Sequence, residues 1–125
     1  MEGKEANVLD LLLGASIRKP PTKKIKLKRL SADIGSDIIF TLTALPYHIV
    51  EMIRGKSEDW NVHTVLEGTS EPDLRCGALM EKYGAPTPVE MLKKMLLPGE
   101  IEDISREIEK LSGFRTTTIQ EIKKK

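Results

Sequence analysis

The chain has 125 residues, 20 Lys and Arg against 19 Asp and Glu, and a formal net charge of +1. Such a length suits one domain with one core, and so balanced a charge leaves no overall field to hold nucleic acid or an anionic membrane, so any such binding must be local. The single cysteine, Cys76, excludes an internal disulfide and a Cys-based zinc site, and suits a reducing compartment.

The opening Met1-Glu-Gly-Lys-Glu5 is acidic, and the apolar run Val8 to Leu13 is too short for a signal segment or a membrane span, so a soluble intracellular protein is expected. Residues 7–13 predict a short apolar helix. Gly14 to Thr22 cannot continue it, because Pro20 and Pro21 lack backbone donors, and residues 1–22 therefore form an arm. That arm either folds onto its own domain or docks on a neighbour, and the Pro-Pro spacer suits both.

A single α+β domain is expected over residues 23–114. Ile25 and Leu27 alternate with Lys24, Lys26 and Lys28, the period of a half-buried strand. Ser31 to Asp37 is rich in turn formers and predicts a loop, and Ile38 to Ala44 a second strand with Ile38, Phe40, Leu42 and Ala44 on one face. The two strands make an N-terminal β-hairpin that needs helices on its apolar side.

Everything beyond reads as about five mostly short helices. One spans 46–54, with Pro46 at the first helical position and Gly55 as a left-handed stop. Residues 57–67 fit a helix capped by Ser57 and followed by Gly68, while Trp60, Val62, Thr64 and Leu66 also alternate as a strand would. Ser70, with Asp73 three residues on, starts a helix that runs to Tyr83-Gly84. Thr87 and Glu90 are spaced for a reciprocal cap, Pro88 fits the first turn, and Pro98-Gly99 ends that helix. Ile101, Ile104, Ile108 and Leu111 carry the last helix from Glu100, and Gly113 stops it with Phe114 placed to fold back on Ile108. Residues 115–125 form a basic, weakly helical tail that frays.

Chemistry is sparse. His48 and His63 lack metal-ligand spacing, no phosphate-binding or nucleophile-elbow motif occurs, and Cys76 in a helix reads as a small core residue, so neither catalysis nor a cofactor is indicated. Partner-binding candidates are Leu9, Leu12 and Leu13 of the arm, and Met91, Leu92, Met95 and Leu96 along one helix face. That face suits a core, and its methionines equally suit a surface that adapts to a long partner. Lys24, Lys26 and Lys28 form a candidate basic surface, either for phosphates or to block edge-to-edge aggregation. The helices at 70–84 and 87–97 resemble a helix-turn-helix pair, although the second offers only Lys93 and Lys94 as cations to a groove.

The run Met80-Glu-Lys-Tyr-Gly-Ala-Pro-Thr-Pro-Val-Glu-Met-Leu-Lys-Lys-Met-Leu-Leu-Pro-Gly-Glu-Ile101, followed by Ile108-Glu-Lys-Leu-Ser-Gly-Phe114, resembles the XkdN-like tail assembly chaperones of long-tailed phages and prophages. Val8-Leu-Asp-Leu-Leu-Leu13, the basic strand near Lys24, and an aromatic-containing helix leading to Glu71-Pro-Asp-Leu74 are similar in the same order. The Tyr83-Gly84 turn, Leu92 to Leu97 and Gly99-Glu100 are the most specific part. Gly55 to Asp59 is shorter than the charged segment the family often has there. The resemblance implies a non-enzymatic factor without cofactor. It would bind the tape measure protein and release it as tail tube protein polymerises, and self-association into a ring or open spiral belongs to the same expectation. It also implies a protein of the bacterial host cytoplasm, missing from the mature virion, with neither nucleic acid nor membrane as partner. Two other readings stay open: a small nucleic-acid-binding regulator, and a structural tail or connector subunit.

Overall fold

Residues 7–123 are described by a computed structural model. The acidic start expected from Met1 to Glu5 lies outside them, as do the last two residues of the tail. Asn7 opens helix α1 (Val8–Gly14) by accepting the Asp10 amide at 2.9 Å. The arm then runs without regular structure to Pro21, whose carbonyl accepts the Ala44 amide at 3.0 Å.

Strand β1 (Thr22–Lys26) pairs antiparallel with β2 (Ile39–Thr43), Lys26 opposite Ile39 and Thr22 opposite Thr43. The connection corrects the expected hairpin: it is a helix, α2 (Lys28–Ile34), so Lys28 leaves the strand and opens α2. Lys, Arg, Leu and Ala are good helix formers, and Leu27, Leu30 and Ser31 are buried along one side at three- and four-residue spacing. Gly35, at φ 84°, closes the helix, and Ser31 Oγ accepts the Ile38 amide at 2.8 Å, returning the chain to the sheet.

Helix α3 (Tyr47–Arg54) follows, with Pro46 just before it and Gly55 right-handed at φ −77°, so the left-handed stop is not used. Residues 60–68 are helical, α4 (Trp60–Gly68), which settles the helix-or-strand ambiguity. Ser57 does not cap it. The entry is Asp59, left-handed at φ 61°, and its carboxylate is engaged with Lys93 at 2.9 Å.

The expected helix from Ser70 is corrected over its first half. Thr69–Glu71 is a third strand, β3, antiparallel to β2, which makes β2 the centre of a three-stranded sheet. Three residues are too few to show alternation. The helix itself, α5 (Gly77–Lys82), begins beyond the cis Glu71–Pro72 peptide. Gly84, at φ 60°, ends it as anticipated, and the Ala85 amide donates to the Met80 carbonyl at 2.8 Å.

Helix α6 (Pro88–Met95) starts where the sequence indicates, Thr87 Oγ1 accepting the Glu90 amide at 3.1 Å. Glu90 faces Lys93 at 3.7 Å. Pro98 and Gly99 do not stop α6: Leu96 is already extended, and they open α7 (Pro98–Leu111) instead. Glu100, at the third helical position, accepts the Leu97 amide at 2.7 Å. Gly113, at φ 95°, terminates α7, and residues 116–123 form no helix.

The architecture is α+β, with seven helices and a three-stranded antiparallel sheet among the described residues. Helices α4 and α7 pack against each other and α7 against β2, with α6 alongside α4. Phe40 and Leu42 of β2 are buried with Val65, Met91, Leu92, Ile104 and Ile108. Arg29 of α2 ties the helix layer together. Its Nε and Nη2 donate to the two Glu100 carboxylate oxygens at 3.0 and 2.9 Å, and Nη2 also donates to the Met95 carbonyl at 3.0 Å.

Candidate functional site

The two groups of partner-binding candidates part company in the structure. Met91 and Leu92 are fully buried, Leu96 is 3% exposed and Met95 is half-buried, so this face of α6 is core and the surface reading of it is corrected. The reason is α4, which packs against α6 and shares one buried cluster with it. Leu9, Leu12 and Leu13 keep 63–75% of their surface, and α1 buries no residue at all. Five large apolar side chains cover α1, with Asp10 and Gly14 as the remaining positions.

The basic candidates come from two elements, and Lys26 and Lys28 line one shallow hollow together with Asp37. Lys24 and Lys26 lie on β1 and Lys28 on α2. All three are exposed, but Lys26 pairs with Asp37 at 3.0 Å, and the neighbouring Lys23 hydrogen-bonds to Glu107, holding that carboxyl below its usual range against partial burial. Arg29 faces Glu100. In the helix-turn-helix comparison, Lys93 pairs with Asp59 and Lys94 donates to the Gly84 carbonyl at 3.1 Å, so both cations of the second helix are engaged within the fold.

A feature not anticipated from sequence lies between α3, the start of α4 and the end of α7. Leu45, Val50, Ile53, Trp60 and Phe114 line a cleft of about 410 Å³. Its charged residues are Arg54, whose guanidinium stands 5.5 Å over the Phe114 ring, and the pair Arg115 and Glu109, in which Arg115 donates to Glu109 at 2.6 Å. Trp60 is 57% exposed and Phe114 38%, high for aromatics of this size. The signal that could have found the cleft is the chain's one tryptophan, placed at a helix start and not in its apolar stripe. The arm's Arg18 to Pro21 run beside Ala44, Leu45 and Pro46, so the root of the arm borders this cleft through Leu45.

For chemistry the structure offers little. His48 is exposed on α3. His63 is half-buried on α4, where desolvation and then Lys56 lower its pKa. Cys76 is a free, half-buried thiol just ahead of α5 and not within a helix. Among the described residues no group of three or more His, Cys, Asp or Glu is placed to hold a metal ion, and no helix is long and apolar enough to cross a membrane.

The small α+β domain thus carries an exposed apolar helix and an open apolar cleft among the described residues. The family model of the phage XkdN-like tail assembly chaperone protein matches residues 56–124, and the chain belongs to that family. The crystal structure of the protein yqbn is similar in fold, with a TM-score of 0.62 at 20% identity over 89% of this chain and 99% of that one. No curated protein matches.

Proposed function

We propose that this protein is a non-catalytic chaperone of long-tail assembly that binds the tape measure protein and keeps it soluble until tail tube protein polymerises around it. The observation that carries the reading is α1: a formed helix whose Val8, Leu9, Leu11, Leu12 and Leu13 each expose 62–75% of their surface. A monomer does not keep so dense an apolar patch on a tethered element without a partner to cover it. The cleft beside the root of the arm adds a concave apolar surface suited to one face of an amphipathic helix. Family membership supports the same role. The chaperone would act in the host cytoplasm and be missing from finished virions.

The test is a tagged pull-down from cells expressing the surrounding phage genes, with nuclease added and retained proteins identified by mass spectrometry. One long helix-rich protein should be retained by the native chain and lost with Leu9→Asp/Leu12→Asp. Retention of nothing, or of nucleic acid alone when nuclease is omitted, would defeat the reading. Finding the chain in purified virions would instead favour a structural tail subunit.

A further inference from the structure

We infer that the free edge of β1 is a docking site for an extended acidic segment of a partner protein, which adds to the sheet as a fourth strand beside Thr22, Lys24 and Lys26. The inference rests on neither α1 nor the Trp60 cleft.

Register decides which backbone groups are available. In the pairing of β1 with β2 the Ala44 amide donates to the Pro21 carbonyl and the Leu27 amide to the Ile38 carbonyl, both at 3.0 Å. Bonded and non-bonded positions alternate along an antiparallel pair, so Lys23 and Ile25 also turn their backbone groups to β2. Thr22, Lys24 and Lys26 turn theirs the other way, and all three residues are exposed. Among the described residues the sheet ends there, in the order β1-β2-β3. The opposite edge is closed to the same use: β3 has three residues, its register with β2 shifts at Thr41 and Leu42, and Pro72 follows without a donor. Strand β1 has five residues in continuous register and no proline, so the amides and carbonyls of its outward residues stand in one row.

Side chains choose the occupant. Successive side chains point to opposite faces, so Lys24 and Lys26 share the outer face, while Lys23, Ile25 and the buried Leu27 share the inner one, where Lys23 meets Glu107 of α7. Ile25 is half-buried at the margin of the core, and an apolar residue opposite it would cover its remaining surface. Among the described residues Lys24 makes no ion pair, and Lys26 meets Asp37 in an exposed pair that a second carboxylate can replace. A strand on this edge therefore matches it with acids opposite Lys24 and Lys26 and an apolar residue between them, opposite Ile25. Main-chain bonds supply the affinity and this alternation the selectivity. The same lysines reject a second β1, whose own lysines would face them, so the edge is guarded against its own kind and open to an acid-apolar-acid segment.

The probe is a synthetic peptide of alternating glutamate and valine, blocked at both ends, added to the isotope-labelled full chain while amide spectra and hydrogen exchange are recorded. In the free chain the Thr22, Lys24 and Lys26 amides should exchange freely. With peptide at about ten times its Kd they should shift and exchange about tenfold more slowly, while the Lys23 and Ile25 amides, bonded to β2, stay protected throughout. Lys24→Glu/Lys26→Glu alters exposed side chains only and should keep native circular dichroism while weakening the peptide about tenfold. A peptide with lysine in place of glutamate should bind that variant and not the native chain. A glutamate peptide N-methylated on the amides that face β1 keeps its charges and should not bind. Edge amides unmoved by millimolar peptide, equal binding of the glutamate and lysine peptides by the native chain, or binding of the methylated peptide would each overturn the inference. Edge amides already protected in the free chain would overturn it too, since another segment would then hold the edge.

Discussion

Gly68 ends α4 where no side chain fits. A Cβ there would stand 2.5 Å from Ile108 Cγ2 and 2.6 Å from its Cδ1, and Ile108 is fully buried in α7, so its side chain would have to shift within a packed core. Glycine is thus what allows α4 and α7 to close on each other, a packing role that the sequence shows only as a helix stop. Gly68→Ala should cost about 1–3 kcal/mol by overpacking. In urea denaturation, Ile108→Val should recover part of that loss in the double variant while lowering stability in the native background. Additive losses would place the defect elsewhere. The Arg29–Glu100 pair sets a pH dependence. The guanidinium's hydrogen bonds hold the Glu100 carboxyl below its usual range, with burial opposing and the Leu97 amide assisting. A carboxyl with a folded value below its unfolded one, about 4.3, stabilises fully above the unfolded value and loses that stabilisation as pH falls through the folded one. Thermal midpoints should therefore fall as pH is lowered from about 5 toward about 3. Arg29→Met should lower the midpoint at neutral pH and flatten that acid slope, and an unchanged slope would show that other carboxylates, Glu107 with Lys23 among them, carry it.

Helices α1 and α6 look alike in sequence, each short and rich in Leu or Met, yet the fold treats them oppositely. Met91→Asp in α6 puts a carboxylate at a fully buried position and should cost on the order of 4 kcal/mol or more, enough to unfold a marginal domain. Leu12→Asp in α1 should leave circular dichroism and thermal midpoint unchanged and affect only partner capture. A folded Met91→Asp protein would return α6 to the list of binding surfaces. What was legible follows the physics of each signal. The Thr87 cap, the Pro88 start, the β2 alternation and the α7 isoleucine spacing are local and each fell where expected. Helix α2 was hidden because Ser31, Asp33 and Gly35 suit a turn as well as a helix, and only the burial of Leu27 and Leu30 decides between them. Pro98-Gly99 stops one helix or starts the next with the same local chemistry. Spacing shows that Met91, Leu92 and Met95 share a side of α6 but not what that side meets, because α4, which packs against it, comes from an earlier part of the chain. The cleft was invisible for the same reason: Leu45, Trp60 and Phe114 come from three separate places.

At the scale of the whole molecule, the buried core draws on no residue of α1. Among the described residues the core is closed by β2, α4, α6 and α7, α1 contributes no buried residue, and the first hydrogen bond that ties the arm to the domain is from Ala44 to Pro21. An element that adds exposed leucines and no stability is a cost unless another molecule covers it, which is what separates an arm kept for binding from a frayed end. Deleting the residues before Lys19 should therefore leave the thermal midpoint and urea midpoint of the domain unchanged, while the truncated chain loses client capture in the pull-down. The comparison is made on the native and truncated proteins at the same low concentration, so that mass action from association does not stabilise one of them. A truncated chain with a clearly lower midpoint would mean that α1 packs on its own domain in solution, and its leucines would then be core by another route. An unchanged midpoint with full client capture would leave the cleft, and not the arm, as the surface that holds the client.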